Sequence, residues 1–114
     1  MISVDADAFE RMVAAALDAL PDDFASRMKN VAVLVEHGLG PRGLLGLYEG
    51  VPLTQRTATG YAGVMPDRIT IYQQAICAIC STEAEVIEQV RRTVIHEVGH
   101  YFGISDERLR ELGW

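Results

Sequence analysis

The sequence predicts a mixed α/β (α+β) fold in which a small twisted sheet of about three strands packs against one long helix and further helices. Three patterns carry this prediction. Val31–Val35 is a β-branched run typical of a buried strand, and Arg68–Tyr72 alternates polar and apolar residues as a half-buried strand does. Glu83–Phe102 follows a helix-start signal and contains no proline. With 114 residues, the chain fits a single domain, 1–114.

An amphipathic helix is expected near the N-terminus. Either Asp5 or Asp7 can cap it, and Pro21 ends it. The apolar residues that recur at helical spacing between these limits are Phe9, Val13, Ala16, Leu17 and Leu20. Pro21 also suits the start of a short second helix, which we expect to reach about Lys29.

The strands of the sheet are separated by glycine-bearing segments. After Val31–Val35, a loop over Gly38–Gly43 leads to a second strand, Leu44–Glu49. Thr54–Gly63 is polar and contains glycine, so we expect a mobile loop that can line a substrate groove. The alternation in the third strand puts its polar side chains on one face, toward solvent or a cleft: Arg68, Thr70 and Tyr72.

The long helix has a defined start. Thr82 and Glu85 have the spacing of a capping box, so the helix begins at Glu83 and runs to Phe102. At 1.5 Å per residue it is ~30 Å long. Its core-facing stripe is Val86 or Ile87, Val90, Val94 and Val98.

The sequence HEVGH occupies residues 96–100, near the end of this helix. Residues four apart lie one above the other, so His96 and His100 can direct a nitrogen at one metal ion, ~2.0–2.1 Å away for zinc. Glu97 lies ~100° round the helix from His96, where it can reach a water molecule bound to the ion. That is the position of a general base. The alternative is a helix with two packed histidines and an exposed acid.

The residues after the helix supply a third candidate ligand. Gly103 can adopt φ > 0, which lets the helix stop and the chain turn back, so that Asp106 comes under the metal. Chance produces the extended motif HExxHxxGxx followed by Asp or His in on the order of one such chain in twenty thousand. A second role for Asp106 stays open, because Ser105 to Glu107 is also a good start for a last helix, where acids favour the dipole.

The extended motif resembles HExxHxxGxxH of the metzincins, with Asp in place of the last histidine as in snapalysin-type small peptidases. Over nearly the whole chain, the order of features is similar to that of a family of small bacterial zincin-like metallopeptidase domains. The segments that carry this resemblance are LYEGVPLTQR, PDRITIYQ from Pro66 and RRTVIHEVGHYFGISDERLRELG from Arg91.

The resemblance implies a minimal zincin-like fold with Glu97 as catalytic base and Zn²⁺ bound by His96, His100 and Asp106. The chain departs from metzincins in two ways. None of the eight residues after Asp106 is the methionine that forms the floor of their site, and the large second lobe of a peptidase cleft is missing. In zincins generally, an edge strand of the sheet holds the substrate peptide as an added strand.

These features predict a zinc-dependent metallopeptidase in which Glu97 takes a proton from water and later gives it to the departing amine. The alternative function is a zinc-stabilised protein-interaction module whose peptidase activity is absent or highly restricted. An oxyanion-stabilising residue is expected, and the sequence does not choose among Tyr61, Arg68, Tyr72 and His37; His37 more often serves as a plain surface histidine.

Composition excludes several other classes of protein. The formal net charge of −6 argues against a nucleic-acid partner, and thus against a metal-dependent RNA-processing hydrolase. The N-terminus has no signal-peptide pattern and no apolar run is long enough to span a membrane, so we expect a cytoplasmic location. The partner expected of a metallopeptidase is a peptide or protein substrate. Cys77 and Cys80 form one CxxC, which can be a redox pair or half a metal site; we favour two small, free, buried residues of a helix.

Overall fold

The computed structural model describes residues 1–51 and 66–114. The helices in this part of the chain are α1 (Ala6–Asp18), α2 (Asp22–Arg27), α3 (Gln73–Ala78), α4 (Glu83–Tyr101) and α5 (Asp106–Leu112). The strands are β1 (Val31–Glu36), β2 (Gly46–Glu49) and β3 (Asp67–Tyr72), and one turn of 3₁₀ helix lies at Pro41–Gly43. The predicted mixed α+β class is confirmed. The expected loop over Thr54–Gly63 lies outside the described residues.

The sheet is mixed, with the strand order β1-β3-β2. β1 runs parallel to β3, and Val33 pairs with Ile69. β2 runs antiparallel to β3, and Tyr48 pairs with Ile69 from the other side. The last strand in sequence is therefore the central one, and β2 forms an edge of the sheet that the described residues make.

The core lies between one face of the sheet and the helices α1 and α4. Ile69 and Ile71 of β3 are buried there against α4. The predicted stripe of α4 is confirmed, because the four valines spaced four apart are at most 1 % exposed: Val86, Val90, Val94 and Val98. Ile87, the alternative member of the stripe, is half exposed.

Helix α4 begins where the sequence predicted. The Thr82 hydroxyl accepts a hydrogen bond from the Glu85 N–H (3.1 Å), and the Glu85 carboxylate accepts one from the Thr82 N–H (3.0 Å). This reciprocal pair satisfies two donors that the helix itself cannot. At α1, by contrast, Asp5 occupies the N-cap position but its side chain makes no capping hydrogen bond.

The prediction of a polar, outward face on β3 was wrong in two of its three members. Arg68 is exposed, but Thr70 and Tyr72 are buried. The reason is tertiary: β3 is flanked by a strand on each side, and the ring of Tyr72 lies against Gly40 of the segment before β2. Burial raises the pKa of the Tyr72 hydroxyl, and the nearby Glu49 and Glu36 act in the same direction.

The expected packing around the cysteine pair is only partly correct. Cys77 and Cys80 are buried and free, as predicted, but Cys80 lies beyond the end of α3. Ala78 and Ile79, which lie between the cysteines in the sequence, are exposed, Ile79 by 62 %. The helix ends after Ala78, so Ile79 does not continue its buried face.

No helix within the described residues combines the length and apolarity needed to cross a membrane.

Candidate metal centre

The two histidines of HEVGH lie on one face of α4, one turn apart. Their ring centroids are 4.8 Å apart and their planes are nearly perpendicular (87°). Both side chains are partly exposed, and Glu97 between them is buried, with 7 % exposure. This is the reverse of two packed histidines beside an exposed acid, so the structural alternative does not describe the site.

The chain turns back after α4 at Gly103, as predicted. Gly103 has φ = +84°, which favours glycine, and its N–H donates to the His100 carbonyl (2.9 Å). The Ile104 N–H donates to the Gly99 carbonyl (3.0 Å). Together these two bonds form a Schellman motif, which satisfies carbonyls at the end of the helix and reverses the chain direction.

The turn brings Asp106 to the histidines. Asp106 Oδ1 lies 3.2 Å from His96 Nε2 and 3.0 Å from His100 Nε2. Asp106 is the first residue of α5, but the side chain that caps this helix is Ser105, whose hydroxyl accepts from the Arg108 N–H (3.2 Å). The carboxylate of Asp106 is therefore not used as the cap and is directed at the imidazoles.

Backbone oxygens face the opposite nitrogens of the two rings. His100 Nδ1 lies 3.1 Å from the Ile104 carbonyl oxygen, and His96 Nδ1 lies 3.4 Å from the main-chain oxygen of Trp114. A ring that donates from Nδ1 keeps a lone pair on Nε2, the nitrogen that faces Asp106. Both imidazoles can thus present their Nε2 atoms as ligands.

The three side chains fit a metal ion. One ligand atom from each of His96, His100 and Asp106 can be chosen so that all three lie within 4.8 Å of one another. In a tetrahedral zinc site with ~2.0–2.1 Å bonds, ligand atoms are ~3.3 Å apart, close to the two nitrogen–oxygen distances here. Two imidazoles and a carboxylate are also a donor set that zinc accepts in open, three-ligand sites. Asp106 is 72 % exposed at its side chain, so the group is open to solvent.

Gly99, inside the motif, allows α5 to approach α4. A β-carbon on Gly99 would lie 2.5 Å from Leu109 Cδ2, and Leu109 is fully buried. Leu109 is one turn beyond Asp106 on α5, so this contact holds the helix that carries the third candidate ligand. This role of Gly99 is not visible in the sequence, because nothing local distinguishes a packing glycine from any other glycine in a helix.

A second glycine lets β2 approach the site. A β-carbon on Gly46 would lie 2.7 Å from Thr93 Cγ2 and 3.1 Å from Glu97 Cγ. The carboxyl group of Glu97 consequently sits between α4 and β2. Burial raises its pKa above the ordinary value, whereas positive charge on His100 and His96 and a hydrogen bond from the Tyr48 backbone act in the opposite direction.

A cleft of about 330 Å³ opens beside His96 and Glu97. One wall comes from the start of β2 and the segment before it, and the other from the preceding two turns of α4, with Trp114 at the side. The remaining lining residues are Leu44, Leu45, Gly46, Gln89, Arg92, Thr93 and Trp114.

Comparison with known proteins agrees with this geometry. The sequence model of a family described as "Zincin-like metallopeptidase" matches residues 22–114. The chain belongs to the zincin-like metallopeptidase family. A search of curated proteins gave no match. Among solved structures, a conserved hypothetical protein from Thermo thermophilus is similar, with a TM-score of 0.60 and 23 % identity over 96 % of this chain and 97 % of that chain. At that identity the likeness concerns the fold alone.

This zincin-like domain builds the floor of its site from α5 and the residues on either side of it. The backbone oxygens of Ile104 and Trp114 face the two histidine rings, and Leu109 packs under Gly99.

Of the described oxyanion candidates, His37 and Arg68 have partners elsewhere, whereas Tyr72 is near enough to Glu97 for its charge to help raise the pKa of the Tyr72 hydroxyl. His37 is held by Gln73 and Glu10, and Arg68 pairs with Glu49 (3.6 Å). Tyr72 is buried against Gly40, and Tyr61 lies outside the described residues. Among the described residues, Arg92 and Gln89 line the cleft together with His96, and no motif in the sequence pointed to either of them.

Proposed function

We propose that this domain is a zinc-dependent metallopeptidase. The observation that carries the proposal is the convergence of His96 Nε2 and His100 Nε2 on Asp106 Oδ1, with the buried Glu97 carboxyl group beside them in a cleft. Membership of the zincin-like family supports zinc as the ion and a peptide bond as the target. His96, His100 and Asp106 would hold the ion.

A bound zinc ion lowers the pKa of water toward ~7 and polarises a carbonyl. The chain's own contribution to the reaction is then proton transfer. Glu97 accepts a proton from water in the site and gives it to the departing amine nitrogen. Its position suits both steps, because the carboxyl group lies beside the two histidines and borders the cleft where the substrate would bind.

The substrate we propose is an extended peptide or protein segment. Within the described sheet, β2 is the edge strand that borders the cleft, and Leu44, Leu45 and Gly46 form its wall. Zincins commonly add the substrate to such an edge as a further strand. A reducing compartment such as the cytoplasm suits the protein, since Cys77 and Cys80 are free.

The experiment is cleavage of a diverse mixture of unstructured peptides, with new termini identified by mass spectrometry. Zinc-loaded wild type is compared with Glu97→Gln, which keeps the candidate ligands. We expect Glu97→Gln to retain zinc and to lose ~10²- to 10⁴-fold in rate. If wild type and Glu97→Gln give the same termini, the peptidase proposal fails, and a zinc-stabilised interaction module becomes the better account.

A further inference from the structure

The cleft beside the candidate metal centre carries an unexpected positive charge. Arg92 lines this cleft one helical turn before His96, and His100 follows one turn later on the same face of α4. Within the described residues, Arg92 is the one lining side chain that is positively charged at every physiological pH. The protein as a whole has a net charge of −6, so this local charge is opposite to its surroundings.

The natural partner of Arg92 on the helix is engaged elsewhere. Glu88, four residues earlier, is the position from which an acid would pair with Arg92. Its carboxylate instead accepts hydrogen bonds from both Nε (2.9 Å) and a terminal nitrogen of Arg91. In the part of the chain that the structure describes, no carboxylate lies within 4 Å of the Arg92 guanidinium. Glu88 feels its charge from farther away, since Arg92 lowers the pKa of the Glu88 carboxylate in addition to the effect of Arg91.

The other lining groups favour a charged contact at Arg92. Leu44, Leu45 and Trp114 are half-buried and present apolar surface to the cleft, whereas the Arg92 side chain is exposed and accessible to a ligand. The Gln89 amide, which also lines the cleft, already has a partner, because its Nε2 donates a hydrogen bond to Thr93 Oγ1 (3.2 Å). A guanidinium that pairs with no carboxylate of the described residues, in a partly apolar cleft, is suited to a planar, bidentate anion such as a substrate carboxylate.

We propose that Arg92 is a specificity-determining residue that binds a carboxylate of the peptide substrate. The inference deepens the proposed peptidase function and rests on it. Four residues of helix span ~6 Å, and an extended peptide advances ~3.3–3.6 Å per residue. The carboxylate therefore belongs to a substrate residue about one to three positions from the bond to be cleaved. Its source is either an Asp or Glu side chain or the C-terminal α-carboxylate.

Binding, measured without turnover, tests the proposal. The protein carries Glu97→Gln to prevent cleavage, and Trp114, its one tryptophan, reports occupancy of the cleft through its fluorescence. Three N-acetylated hexapeptides of otherwise identical sequence are titrated: one with a central Glu and an amidated C-terminus, one with Gln and a free C-terminus, and one with Gln and an amidated C-terminus. Titrations are run with and without added zinc, so the result does not depend on the metal.

We expect at least one carboxylate peptide to bind about 5- to 10-fold more tightly than the neutral one, and the preferred peptide identifies the source of the carboxylate. Arg92→Gln should reduce this ratio to about one, and Arg92→Lys should keep part of it. Arg11→Gln is the control, because it removes the same charge from an exposed arginine that does not line the cleft, and it leaves the Arg91–Glu88 pair in place. The preference should also weaken as salt is raised.

Three results overturn the proposal: equal binding of all three peptides, a preference that survives Arg92→Gln, or no binding of either carboxylate peptide up to about 1 mM. These outcomes are separate from failure of the peptidase. A carboxylate preference in a protein that cleaves nothing would leave Arg92 as a binding residue and reject the catalytic proposal. Cleavage without any carboxylate preference would support the peptidase proposal and reject the proposed role of Arg92.

Discussion

Leu109 packs against Gly99 so closely that a β-carbon on Gly99 would lie 2.5 Å from Leu109 Cδ2. This one contact joins the helix that carries the histidines to the helix that carries Asp106. The group that can hold a metal therefore depends on a packing contact between two residues that are not ligands. Its importance can be measured separately from that of the ligands themselves.

Gly99→Val should lower both stability and metal retention. Although valine forms helices better than glycine by a few tenths of a kcal/mol, the added atoms overlap Leu109 in the core, which costs ~1–3 kcal/mol. Urea denaturation and competition with a chelator measure the two effects. Gly38→Val is the control, because a β-carbon there meets no atom within 4 Å. Equal stability of the two variants would show that α5 shifts without cost.

His96→Ala should reduce bound zinc to near zero and lower the melting temperature. Metal that binds the folded state alone stabilises it by mass action, and two remaining ligands hold zinc weakly. Metal analysis by mass spectrometry gives the stoichiometry. The matched control is His37→Ala, since His37 lies near Glu10 and Gln73 rather than in the centre. Unchanged zinc in His96→Ala would end the ligand assignment.

Asp106→Asn should weaken zinc retention against a chelator more than Ser105→Ala does. The amide keeps the shape of the side chain but loses the charge that suits a metal ligand, whereas Ser105→Ala removes the cap of α5 at a cost of ~1 kcal/mol in stability. The comparison separates ligation from helix capping. If both variants lose zinc equally, Asp106 acts through the stability of α5.

Gly46→Ala should destabilise the fold and impair peptide cleavage while zinc remains bound. The added methyl group would meet Thr93 Cγ2 at 2.7 Å and Glu97 Cγ at 3.1 Å, so β2 or the Glu97 side chain must move. We expect a loss of ~1–3 kcal/mol by denaturation. Retained activity at wild-type stability would contradict this prediction and show that β2 can shift at Gly46 without a cost in stability.

Cys77 and Cys80 should react slowly with iodoacetamide in the folded protein. Burial raises the pKa of both thiols, and the reactive thiolate is then scarcer at pH 8 than for a free cysteine. Because the folded pKa is raised, the stability that the neutral thiols contribute is present below the unfolded pKa of ~8.5 and is lost as pH rises above it. Alkylation in urea should be about 10-fold or more faster. Rapid labelling of the native protein would contradict the burial of the pair.

Local signals in the sequence determined a large part of this protein. The capping box at Thr82 and the left-handed turn at Gly103 each depend on residues within about one helical turn, and the stripe of four valines depends on the periodicity of one helix; all three are present as predicted. The motif likewise placed His96, His100 and Asp106 together, because helical spacing and one turn decide that geometry.

Tertiary structure alone decided which surfaces are covered and what surrounds the site. Thr70 and Tyr72 alternate like outward-facing strand residues, yet the central position of β3 and the segment at Gly40 bury them. The close approaches at Gly46 and Gly99, and the presence of Arg92 beside His96 in a cleft, require elements far apart in the chain to meet. Periodicity describes how one element faces its core. Packing among all the helices and strands decides which elements touch each other and how closely they approach.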